Sequence, residues 1–153
     1  MSFSPSYGKG TCMRRQALAV WTGSFDDGVG TMTTESGVLS NAEYLPRTRF
    51  APGSGTDPDE LIAASLGGCF SMALANELEL SGFNAKRIET TATATLEHLS
   101  TGWTMIRMQL DVHASVPNAT QGDFVDAALA AKMNCRIARL LNTTISLNAS
   151  LDT

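Results

Sequence analysis

Two periodicities divide this chain. Apolar and polar residues alternate in twos over ALAVWTG (17–23) and GTMTTES (30–36), with Asp26, Asp27 and Gly28 between them. That arrangement predicts a β-hairpin. The same alternation runs longer through TTATATLEHL (90–99) and MIRMQLDVHASV (105–116), which turn at Ser100, Thr101 and Gly102, and it returns in a closing strand, ISLNASL. Residues 37–56 hold Pro46, Pro52, Gly53 and Gly55 and predict a loop-rich segment with one short strand at most. Helical spacing appears before and after the long strands, from Asp57 to about Leu80 and from Thr120 to Met133, with a further turn or two over Arg136–Leu141. The order β-β-(β)-α-β-β-α-α-β predicts an α+β fold of antiparallel hairpins with a helix layer.

The first helix is the clearest element. Asp57 is placed to act as N-cap, Pro58 as its first residue and Glu60 as the third position of a capping box, and Ser81-Gly82 is its stop signal. Its apolar residues wrap almost all round, which predicts a buried helix. The most apolar run, Leu61 to Ala75, is short for a bilayer span and reads as a core helix. Gly67 and Gly68 each cost a helix interior about 1 kcal/mol relative to Ala, so their presence implies a close backbone approach or a kink.

Length and composition narrow the picture. At 153 residues the chain predicts one domain over 15–153, preceded by a flexible Ser-, Gly- and Pro-containing tail over 1–14. A hydrophobic content of 43% with 17% charged residues is that of a globular protein. The net charge of −4 and scattered basic residues argue against a nucleic-acid partner. The N-terminal residues lack an apolar signal region, and three cysteines is an odd count, so a reducing cytoplasm is the expected setting, with no membrane partner.

Candidate chemistry centres on the thiols. Cys12 lies in the tail without chemical company, whereas Cys69 is flanked by Ser65, Gly67, Gly68 and Ser71, which leave room around it. A buried cysteine is more often packing than chemistry, and a reactive one must ionise against its burial. Cys69 is too deep in its helix for that helix's own N-terminus to help, so a cation must come from elsewhere. Arg49, in the loop before the helix, is the candidate. His98 and His113 read as satisfied strand residues. Cys135 follows Asn134, which could break the helix and leave Cys135 at a helix start, where its pKa would fall. The other reading is one continuous helix with Cys135 in its core. No metal-ligand spacing, phosphate loop or nucleophile elbow is present.

The segments ESGVLSNAEY, TRFAPGSGTDPDELIAASLGGCFSMALANELELSGF and TTATATLEHLSTGWTMIRMQLDVHASVP, with the second cysteine and final strand, resemble the OsmC branch of the OsmC/Ohr thiol peroxidases over roughly residues 16–152. The resemblance implies an OsmC-like fold, with an antiparallel sheet, a long buried central helix and an intertwined homodimer carrying two interfacial sites. It implies that Cys69 is the peroxidatic and Cys135 the resolving cysteine, that Arg49 holds the thiolate and that Glu60 orients Arg49. The substrate it implies is an organic hydroperoxide and the reductant a dithiol, in the family a lipoyl-type one. No cofactor is implied. Related sequences usually carry Pro after the second cysteine, where this chain has Arg136. Glu60 and Cys69 stand about 13.5 Å apart along an ideal helix and half a turn out of phase, so they cannot meet on one straight helix. Either the Arg49–Glu60 pair serves the partner's Cys69, or the helix bends at Gly67-Gly68. A contrasting reading is a non-catalytic dimeric protein that binds a small ligand, with structural cysteines. A thioesterase-like enzyme is less supported, since no acid/base pair accompanies the fold.

Overall fold

In the computed structural model, residues 12–46 and 55–152 are described, and the elements run β1 (Ala17–Thr22), β2 (Val29–Thr34), β3 (Ala42–Tyr44), α1 (Pro58–Leu80), β4 (Arg87–Leu99), β5 (Gly102–Ser115), α2 (Gln121–Asn134), α3 (Arg136–Leu140) and β6 (Thr144–Leu151). They divide into two compact units, one ending at Asp57 and one beginning at Pro58. Most of the expected tail, residues 1–11, lies outside the described residues. Its end, from Cys12 to Arg14, is exposed and outside any strand.

The first unit is a three-stranded antiparallel sheet in the order β1-β2-β3. The expected hairpin forms, with Ser24 Oγ accepting from Asp27 N at 3.2 Å inside its turn. Gly30 is needed opposite Tyr44, because a Cβ there would stand 2.3 Å from the Tyr44 ring. That ring packs against Trp21 at 5.8 Å between centroids.

The second unit holds the sheet β4-β5-β6 and all three helices. β4 and β5 are antiparallel, but β6 runs parallel to β5, which corrects the expectation of a wholly antiparallel sheet. The reason is the connection: β5 reaches β6 through α2 and α3, and a helical crossover joins parallel neighbours where a hairpin cannot. Strand alternation sorts the two faces. Ala94, Met108 and Ile145 form one row of the apolar face, and Ala92, Leu110 and Leu147 the next. The opposite face is polar, with Thr93, Gln109 and Ser146 in one row and Thr91, Asp111 and Asn148 in another. Asn148 Nδ2 donates to Asp111 Oδ1 at 2.9 Å.

α1 packs on β4 and α2 through Leu66, Phe70, Leu74 and Leu78, all fully buried and spaced four apart. At 23 residues it is long and apolar enough to cross a bilayer, yet this stripe is sealed inside the core. Burial does not extend all round, contrary to expectation: Ala64, Ser65, Gly68, Met72 and Ala75 are exposed. A single 3.6-residue stripe meets the neighbouring elements, and the small residues elsewhere on the helix face outward. The helix continues unbroken through Gly67-Gly68. Gly67 faces β4, where a Cβ would lie 3.5 Å from Ala92 Cβ. Ser71 Oγ stands 2.9 Å from Gly67 O and 2.8 Å from Thr90 Oγ1, tying α1 to the strand. At the C-terminus, Gly82 takes φ +86°, Phe83 N donates to Leu78 O at 2.8 Å and Gly82 N to Glu79 O at 3.0 Å. This double closure with a left-handed glycine is a Schellman motif.

Truncating Phe70 to Ala should cost about 3–5 kcal/mol through the cavity it leaves. Gly82→Ala should cost about 1–2 kcal/mol through the left-handed backbone alone. Urea unfolding monitored by circular dichroism measures both, and a neutral Gly82→Ala would remove the case for the cap.

Candidate active site

The site is made where α2 stops. Thr120 caps the helix in a reciprocal box, with Asp123 N donating to Thr120 Oγ1 at 3.2 Å and Thr120 N donating to Asp123 Oδ2 at 2.9 Å. Those hydrogen bonds hold the Asp123 carboxyl below its ordinary range. The helix ends at Asn134, and Cys135 takes an extended backbone (φ −66°, ψ 117°). Cys135 is at once the C-cap of α2, through its N–H to Ala131 O, and the N-cap of α3, where its Sγ accepts from Ala138 N at 3.5 Å. The continuous-helix reading therefore fails. The break is real, but it comes from the extended Cys135 and not from a left-handed Asn134, since Asn41 and Asn118 are the non-glycine residues with positive φ among those described. Asn134 instead reaches back to α1, where its Nδ2 donates to Glu77 Oε1 at 2.8 Å.

This geometry brings Cys69 and Cys135 together as free thiols within hydrogen-bonding reach. Cys69 is half-buried on α1, while Cys135 is 1% exposed. Burial works against ionisation of Cys69. The N–H of Ile137, the Cys135 thiol, the N–H of Arg136 and the Arg136 charge together outweigh it, and the pKa falls below the ordinary thiol value. Cys135 moves the other way: burial and the neighbouring Cys69 raise it, despite hydrogen bonds from Ala138 and Ile137. A helix start does not lower the pKa of Cys135 as expected, because the negative charge resides on Cys69 and a second one beside it is disfavoured. The amides of α3 serve the thiol of a different helix.

The other expected site residues are not gathered here. Glu60 sits in the first turn of α1 and lines an open groove of about 520 Å³ against β4, with Ala63, Gly67, Ser71, Glu89 and Thr90. Neither cysteine lines that groove. Arg49 lies outside the described residues. His98 packs edge-on against Trp103 at 5.4 Å, and His113 Nδ1 pairs with Ser150 Oγ at 2.7 Å, so both are satisfied strand residues. What the sequence did not reveal is that Arg136 and Ile137 act on Cys69. Its one visible trace was the residue following the second cysteine.

The opposite shifts predict an ordered alkylation. In a Cys12→Ser background at pH 7.5, iodoacetamide should modify Cys69 first, at a rate that rises with pH through its lowered pKa and levels off above it. Cys135 should follow only at higher pH. Peptide mapping by mass spectrometry reads the order, and a faster Cys135 would contradict the assignment.

Comparison with known proteins accords with this geometry. The family model described as "OsmC-like protein" matches residues 51–150. The chain is 35% identical over 139 residues to a protein named "Peroxiredoxin OsmC" from Escherichia coli, covering 91% of this chain and 97% of that one. Its fold is similar to that of an OsmC-like protein from Vibrio cholerae, with a TM-score of 0.75 at 17% identity, covering 91% of this chain and 100% of that one. It is also similar to an organic hydroperoxide resistance protein from Elizabethkingia anophelis, with a TM-score of 0.70 at 21% identity, covering 94% and 99%. At those identities the structural likeness is one of fold, and it is the family model and the 35% identity over most of both chains that carry membership: this chain belongs to the OsmC-like protein family.

Proposed function

We propose that this protein is a cysteine-based peroxidase that reduces organic hydroperoxides to alcohols in defence against oxidative or osmotic stress. The observation that carries the reading is the pairing of a thiol lowered in pKa, Cys69, with a buried and protonated one, Cys135, within reach of it. The names of its relatives, a peroxiredoxin and an organic hydroperoxide resistance protein, lend support.

The chemistry follows from that pair. The Cys69 thiolate attacks the distal oxygen of the hydroperoxide, the O–O bond breaks, and the alkoxide leaves and takes up a proton as the alcohol. Sulfur is oxidised by two electrons to a sulfenic acid. Cys135 then condenses with it, forming the disulfide and releasing water, which guards Cys69 against over-oxidation. A dithiol, by family resemblance a lipoyl-type one, returns the two electrons through a mixed disulfide. The apolar residues near Cys69, Ala73 among them, suit an alkyl chain better than hydrogen peroxide.

The resemblance gives Arg49 the task of holding the thiolate and Glu60 that of orienting Arg49. Glu60 belongs to the groove side of α1, away from Cys69, and this favours the version in which the pair serves the partner's Cys69 in an intertwined homodimer. The protein would work in the cytoplasm, where a dithiol reductant keeps it cycling.

One equivalent of cumene hydroperoxide should lower the intact mass of the Cys12→Ser protein by about 2 mass units, the two hydrogens lost in forming the disulfide. Cys135→Ser should instead accumulate a sulfenic acid trapped by dimedone. Unchanged thiols in both would overturn the peroxidase in favour of a ligand-binding protein. For the arrangement of Arg49, mixed dimers carrying Cys69→Ser on one chain and Arg49→Ala on the other should regain one working site. If no site regains activity, the cross-subunit version is wrong.

A further inference from the structure

We propose that Arg136 activates Cys69 from within the same chain, so that the residue following the resolving thiol is part of the apparatus that ionises the attacking one. The proposal deepens the peroxidase reading and rests on Cys69 being the attacking thiol.

The argument begins with the backbone. Cys135 is extended, so α3 starts afresh at Arg136, and the N–H groups of Arg136 and Ile137 reach Cys69 on α1. Ile137 and Ala138 pack with Cys69 against the same core cluster that contains Cys135, which fixes α3 on that thiol. The Arg136 side chain is exposed, so its guanidinium acts on Cys69 while remaining hydrated and bears little desolvation cost. Its own segment does not neutralise it, since no Asp or Glu occurs between Asp126 and Asp152. The other charged groups on the packed elements near this contact are Glu77 of α1, held by Asn134, Lys132 of α2 and Arg139 of α3. Two of those three are cations, which reinforce the effect, and the carboxylate is engaged by an amide. The lowered pKa of Cys69 accords with this, the Arg136 amide and charge both contributing to it.

Arg136 is also the first residue of α3, a position that proline tolerates because its N–H has no intrahelical partner. Proline there would keep the helix start yet remove both the charge and an N–H donor to Cys69. Arginine at this position thus supplies two interactions that proline cannot make.

The test is the pH–rate profile of Cys69 alkylation by iodoacetamide in a Cys12→Ser/Cys135→Ser background, with circular dichroism confirming the fold of each variant. Arg136→Ala should move the profile to higher pH and slow the reaction about two- to fivefold below its midpoint, the range expected for an exposed charge pair. Arg136→Lys should restore most of the rate, and Arg136→Pro should slow it further than Ala does. Added salt, roughly 1 M, should shrink by screening the difference that Arg136→Ala makes. A profile unmoved by Arg136→Ala, or one that Arg136→Lys fails to restore, overturns the proposal. The titration uses no peroxide. If Arg136 governs Cys69 but the thiol ignores cumene hydroperoxide, the peroxidase reading falls and the action of Arg136 stands. If Cys69 reacts with peroxide at the same pH midpoint with and without Arg136→Ala, only the proposal for Arg136 falls.

Discussion

The site depends on one interruption of regular backbone, the extended Cys135 between α2 and α3. Were the helix continuous, the amides of residues 136 and 137 would be spent on carbonyls one turn back. Breaking at Cys135 frees them, and the packing of α3 against α1 points them at Cys69. The same break buries the Cys135 side chain with its Sγ accepting from Ala138, so one backbone choice sets the surroundings of both sulfurs. Everything else in the second unit holds these helices in register: the Leu66–Phe70–Leu74–Leu78 stripe, the capping box at Thr120 and the Asn134–Glu77 hydrogen bond.

Two thiols in contact cannot both ionise cheaply, and the structure resolves the competition by unequal surroundings. Cys69 is half open to solvent and receives amides and a positive charge; Cys135 is enclosed by apolar side chains. The anion therefore belongs to Cys69, and Cys135 remains the proton-bearing neighbour that donates toward it. A carboxylate would not fit into such an arrangement. Glu60, on the other side of α1, lies where it does not oppose the thiolate.

Much of this was legible in the sequence because it is local. The hairpin at Asp26–Gly28, the α1 boundaries at Pro58 and Gly82, and the alternation of β4 and β5 are each set by residues within a few positions of one another. The parallel pairing of β6 with β5 was not legible, since periodicity gives the faces of a strand and says nothing of its direction. Nor was the exposed side of α1: Ala, Ser, Gly and Met read as apolar filler whether or not anything covers them. The thiols were identified, but their roles as acid and anion were not separable. At sequence level the helix start at Cys135 pointed to a low pKa there, and only the three-dimensional contact shows the benefit passing to Cys69.

That transfer alters what the cation in the loop has to do. From the sequence, a mid-helix thiol needed its whole activation from a distant arginine, because its own helix terminus lay too far away. With α3 folded against α1, a second helix start takes that place within the chain, and Arg136 adds charge to it. An arginine arriving from elsewhere is then not required to create the thiolate alone. In the proposed peroxidase its remaining work is what a planar guanidinium does better than an amide: holding an oxygen of the hydroperoxide in line with sulfur and stabilising the alkoxide as the O–O bond breaks. On that reading ionisation and transition-state binding separate physically, the first resting on the Cys135 break and the second on Arg49 and the carboxylate that orients it.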